Sequence, residues 1–166
     1  MPGNRRILSV LVPLLVALAF CAGAGDAAMA PPPLSSAGSR AMTPTRGEYA
    51  IVRAMNTVRA RSGVPPLRVG PALTRAARAH SKDMARRGYF DHGAFVQRLR
   101  NFGVRAPYVG ENLAYGTQPL TAAAIVQMWI ASPPHRQNLL DRGFRLIGVG
   151  VAGSSRKLVT ADFAGR

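Results

Sequence analysis

FRLIGVGVAGSSRKLVTADF, Phe144 to Phe163, is the stretch that decides the fold class. Phe144 to Val151 and Lys157 to Phe163 are largely apolar runs of strand length. Between them, Ala152-Gly153-Ser154-Ser155-Arg156 reads as a hairpin-like turn. Strands joined so tightly run antiparallel, because a parallel pair needs a crossover of roughly a dozen residues or more. Helices upstream and a hairpin at the end predict an α+β domain around a mainly antiparallel sheet, not a βαβ array.

Working back from the hairpin, a helix over about 121–131 places Ile125, Met128, Trp129 and Ser132 on one face. Pro133 disfavours helical geometry at Ser132 and Pro134 extends the break, so His135 is expected beyond the helix, outside regular structure. A strand is expected over Tyr108 to Tyr115, bounded by Gly110 and Gly116, and a short helix over Phe95 to Phe102. A longer helix runs from about Pro71 to Arg87, with Leu73, Ala76, Ala77, His80 and Met84 along one stripe, and ends at Gly88. The first helix is expected to take Thr43 as its cap and Pro44 in its first turn. It carries Ile51, Met55 and Val58 on one face and stops at Ser62-Gly63.

Residues 1–24 have the layout of a secretory signal peptide: Arg5 and Arg6, the apolar run Ile7 to Phe20, then small residues with Ala22-Gly23-Ala24 as the cleavage site. That run is shorter than the ~20 residues needed to span a bilayer. Residues 25–43, rich in Ala, Pro, Ser and Gly, read as an extended linker, and 44–166 as one domain. Secretion or periplasmic residence is therefore expected, with lipidation at Cys21 a lesser alternative because bulky Phe20 precedes it. Cys21 is the single cysteine and leaves with the signal, which excludes disulfide scaffolds and cysteine-based sites in the domain.

The net charge is +15, almost all of it from arginine. An exported domain so basic is suited to an anionic envelope polymer or lipid, although scattered arginines also make an ordinary solvated surface. Nucleic acid is not an expected partner, since export removes it and the aromatics are not interleaved with the arginines. A monomer is expected.

The chain lacks His-Glu-x-x-His, Gly-x-Ser-x-Gly and the phosphate-cradling glycine motifs, so the familiar zincin, hydrolase and nucleotide readings have no support. His80, His92, His135 and Glu111 remain. His80 on its apolar stripe reads as a hydrogen-bonded core or rim residue. His92 follows the break at Gly88, where a loop can aim it into a cleft. Glu111 is flanked by Gly110, which permits close backbone approach. Spacing alone does not bring these three together.

Four ordered blocks carry a resemblance: Tyr89-Phe90-Asp91-His92, Gly110-Glu111-Asn112-Leu113-Ala114, Trp129 to Leu140, and Ile147-Gly148-Val149-Gly150. With Asn56 and Arg59 of the first helix, they closely resemble the bacterial branch of the CAP superfamily. This superfamily comprises the cysteine-rich secretory, antigen 5 and pathogenesis-related 1 proteins, and its domain is also called SCP. The resemblance runs from about Gly47 to Phe163. It implies an α-β-α sandwich with a central, mainly antiparallel sheet and a cleft holding His92, His135 and Glu111. Animal and plant members usually carry a second glutamate where Ser132 stands, so the four-residue site is incomplete.

His92 and His135 are the candidate metal ligands, offering neutral imidazole nitrogens to Zn²⁺ or another divalent cation, weakly because a catalytic zinc usually has three protein ligands. Glu111 can fix an imidazole tautomer or act as the catalytic base. Against this stands a hydrogen-bonded polar cluster that needs no metal. Ser132 is a minor candidate nucleophile, better suited to ending a helix. The functional expectation is a binding or interaction module, with a metal-assisted hydrolase of peptide or cell-wall bonds, or a carrier of apolar ligands, as alternatives.

Overall fold

The computed structural model describes residues 43–117 and 119–166. The expected signal segment, Cys21 and the linker up to Met42 lie outside the described residues. Within them the order is α1 (Arg46–Arg61), β1 (Arg68–Val69), α2 (Pro71–Arg87), α3 (Phe95–Asn101), β2 (Tyr108–Thr117), α4 (Ala122–Ala131), α5 (Pro133–Leu140), β3 (Phe144–Ala152) and β4 (Arg156–Gly165).

The predicted hairpin is the centre of the sheet. β3 and β4 pair antiparallel, β2 pairs antiparallel with the far side of β4, and β1 adds to β3 in parallel, giving the order β1-β3-β4-β2. Successive side chains of β4 point to opposite faces. Val159, Ala161 and Phe163 join Ile147 and Val149 in a core with Ile51, Val52 and Met55 of α1, Ile125, Val126 and Trp129 of α4, and Leu139 of α5. Leu158 packs with Met84 and Leu113, and Ala164 with Leu73, Ala76 and Leu99, so α2 and α3 cover the other face. The result is the expected α-β-α sandwich.

Three local expectations are corrected. The cap of α1 is Thr45, not Thr43: its side chain accepts from the Glu48 amide while Glu48 accepts from the Thr45 amide at 2.7 Å, a capping box. Glu48 also takes Arg78 Nε at 2.8 Å and so ties α1 to α2. β1 was not anticipated, because two residues are too few to show a period.

The third correction concerns Pro133-Pro134. They do end α4, but they also begin α5, with Ser132 in extended geometry between the two helices (φ −96°, ψ 116°). Proline is welcome in a first helical turn, where amides have no intrahelical partner. His135 therefore sits in the first turn of a helix, rigidly held, rather than in an irregular segment.

Candidate functional site

β2 is an edge strand, so side chains from both helical layers can approach one another around it. Glu111 lies on β2 directly opposite Asp162 of β4, with its side chain on the face covered by α2 and α3. It is 5% exposed and fully engaged. His92 Nδ1 lies 2.8 Å from Oε1, and Arg98 Nη2 of α3 pairs with Oε2. Arg98 also reaches Asp162 Oδ1 at 3.4 Å and the His92 carbonyl at 3.2 Å.

His92 is placed by its turn. The Asp91 carboxylate accepts the Gly93 amide at 2.6 Å, and Gly93 takes the left-handed conformation at φ 56° that suits glycine. His80 supports the same turn from below, its Nε2 lying 2.9 Å from the Asp91 carbonyl. Burial is the main reason its pKa falls to about 4, so the ring is neutral and the nitrogen facing the carbonyl carries the proton. His80 is thus a structural residue, as its position on the apolar stripe suggested.

His135 is fastened through its backbone. Asn112 Nδ2 donates to its carbonyl at 2.9 Å, while Asn138 Nδ2 donates to the Glu111 carbonyl at 3.2 Å and to Asn112 Oδ1 at 3.0 Å. These asparagines lock α5 onto β2. Burial and then the charge of nearby His92 lower the pKa of the His135 imidazole, which is neutral at pH 7. Ser132 makes no hydrogen bond to His135 among the described residues; its carbonyl accepts from the Arg136 amide at 2.8 Å.

Sequence reasoning missed Arg98 and Asp162. Arg98 is one of many arginines and carries no signal of its own. Asp162 did carry one: it is the only acid in the strand LVTADFA, whose other residues are suited to a core.

The two carboxyls share a protonation problem. Glu111 is pushed up to about 7, chiefly by burial, against the opposing pull of Arg98. Asp162 is raised well above the usual carboxylate range by burial and by the Glu111 charge. Glu111 is in close contact with Arg98 and His92, so the retained proton belongs on Asp162, whose Oδ2 is buried with no hydrogen-bond partner among the described residues. A carboxyl whose folded pKa is raised contributes stability that is complete below its unfolded pKa and lost as pH rises through the folded one. The two carboxyls titrate as a pair, so stability is expected to fall as pH rises from about 4.5 through the Glu111 value of about 7, by up to about 1.4 kcal/mol per pH unit for each proton. Urea unfolding across this range checks the slope. Asp162→Asn is expected to flatten it, and an unchanged slope would place the titration elsewhere.

Among the described residues no three His, Cys, Asp or Glu side chains are grouped to hold a metal ion. The donors fit only a sparse site. Glu111 takes the Nδ1 side of His92, which leaves Nε2 as the nitrogen with a free lone pair, and His135 is neutral. Arg98, a fixed cation beside Glu111, works against a highly charged ion.

With this geometry in view, residues 52–163 match the cysteine-rich secretory protein family, CAP, and the chain belongs to that family. It is 35% identical over 124 residues to the uncharacterized protein YkwD of Bacillus subtilis, covering 72% of this chain and 47% of that protein. An extracellular protein of Bacillus anthracis containing an SCP domain superposes with a TM-score of 0.66 at 33% identity, over 72% of this chain and 40% of the other. An outer surface protein of Borrelia burgdorferi gives a TM-score of 0.67 at 18% identity, over 75% and 96% of the two chains. The chain thus spans less than half the length of the Bacillus relatives.

Proposed function

We propose that this CAP domain is exported by its N-terminal segment and acts outside the cytoplasm as a binding module. Its cleft holds a divalent cation such as Zn²⁺ weakly between His92 and His135. The observation that carries the metal reading is the 2.8 Å contact between His92 Nδ1 and Glu111. A carboxylate behind an imidazole fixes the tautomer and raises ligand basicity, the arrangement seen behind metal-bound histidines. When bound, the cation would supply a positive centre for an anionic or carbonyl group of a partner. Glu111 acts as an orienting group, since both its oxygens are already taken by His92 and Arg98. The +15 charge supports an anionic envelope component as the partner. Among the described residues no helix is long and apolar enough to cross a membrane.

Calorimetric titration of Zn²⁺ tests the cleft. Wild type is expected to bind weakly, and His92→Ala/His135→Ala to lose the signal. Glu111→Gln is expected to bind roughly 10- to 100-fold more weakly. Binding should fade in acid, because protonated imidazoles do not ligate. Identical traces for wild type and the double variant would overturn the proposal.

A further inference from the structure

A second concavity lies at one end of the sheet, where β1, the start of β3, the end of β4 and the segment leading into β2 come together. Its volume is about 440 Å³, inside the range of small-molecule sites. Ala106, Leu146 and Ala164 give it apolar walls, and Arg68, Arg145 and Arg166 line it as well. No acidic side chain is among its lining residues.

Arg68, Arg145 and Arg166 bring three guanidinium groups to this one concavity. None of them forms a salt bridge among the described residues. Arg145 spends one nitrogen on the carbonyls of Arg142 and Phe144, and the Arg68 side chain makes no hydrogen bond among the described residues. Of the acids nearest along the chain, Asp141 has its carboxylate held by the Tyr108 hydroxyl and the Gly143 amide, each at 2.6 Å, and Asp162 is buried beside Arg98. Buried Arg59 feels this charge: after burial itself, Arg145 is the next cause lowering its pKa, with Asp141 pulling the other way.

We infer that this concavity is a binding site for an amphiphilic phosphate, with the head paired to Arg68, Arg145 and Arg166 and the aliphatic part lying on Ala106, Leu146 and Ala164. Guanidinium groups match phosphate oxygens with paired N–H donors, and several of them balance a doubly charged head better than a carboxylate would require. The apolar walls distinguish an amphiphile from a free anion, because burying aliphatic surface adds about 0.8 kcal/mol for each CH₂ group removed from water. The site rests on the reading of an anionic partner and is independent of the metal cleft.

Calorimetry of the purified full chain with octyl phosphate, inorganic phosphate and octanol tests it. Octyl phosphate is expected to bind, with the other two at least about tenfold weaker. Arg68→Ala/Arg145→Ala is expected to weaken octyl phosphate binding by about tenfold or more. Ala106→Phe, which fills the cavity and leaves every charge in place, is expected to weaken it similarly. Equal affinity for inorganic phosphate, unchanged binding in both variants, or no binding by wild type would each overturn the site. Adsorption to anionic vesicles, measured in parallel, fails separately. Adsorption retained by both variants leaves the anionic-partner reading standing without this site, and its absence in wild type removes that reading itself.

Discussion

Gly148→Ala and Gly150→Ala are each expected to destabilise the domain by at least about 3 kcal/mol, more than most single methyl additions. The two glycines lie on β3 facing α2. A Cβ at Gly148 would sit 2.1 Å from the Leu73 carbonyl carbon and 2.2 Å from the Thr74 amide nitrogen. At Gly150 it would sit 2.3 Å from backbone atoms of Ala77 and Arg78. Backbone cannot rotate aside as a side chain does, so the helix must move off the strand. That movement would open the contacts of Leu73 and Ala76 with Ala164 and break the bond from Ser81 Oγ to the Gly150 carbonyl at 2.9 Å. Urea unfolding measures the loss. A change within about 0.5 kcal/mol of wild type for either variant would mean that α2 does not approach β3 this closely.

This places one part of the family resemblance on the structural side. Ile147-Gly148-Val149-Gly150 puts Ile147 and Val149 into the core shared with α1 and α4, and uses its glycines to seat α2 on the opposite face. The period of two was legible in the sequence. The reason for the glycines was not, because it depends on how near another element comes. The architecture was legible because the terminal hairpin and three long amphipathic helices each carry their own period. β1 escaped because two residues have none, and the second role of Pro133-Pro134 escaped because proline marks a helix start as readily as a stop.

The site divides along the same line. His92, Glu111 and His135 stood out as rare residues beside breaks in periodicity, and the resemblance grouped them. Arg98 and Asp162 complete the charge arrangement around Glu111, yet they are joined to it only by strand register and by the docking of α3. Asp162 faces Glu111 because β2 and β4 pair in one particular register, which no local pattern announces. The asparagines of the Gly-Glu-Asn and His-Arg-Gln-Asn blocks prove to be fasteners between α5 and β2.

Arg59→Met is expected to cost roughly 4 kcal/mol, although the substitution replaces a charge with an apolar chain of useful length in a buried place. Arg59 is 0% exposed and makes no carboxylate pair among the described residues. Its guanidinium instead donates to four main-chain carbonyls: Pro65 at 2.8 Å, Leu139 at 2.8 Å, Asp141 at 3.0 Å and Phe144 at 3.2 Å. These acceptors lie before β1, at the end of α5 and at the start of β3, so one side chain of α1 gathers three chain segments. Each carbonyl left buried without a donor costs about 1–3 kcal/mol, partly recovered where water can enter. Arg59→Lys keeps the charge but supplies three donors from one point, which cannot reach acceptors spread around a planar fork. It is expected to recover less than half of the loss. Urea unfolding of both variants checks the pair of values. A loss below about 1 kcal/mol for Arg59→Met would show that these carbonyls find other partners and that Arg59 does not organise the junction of α1, α5 and β3.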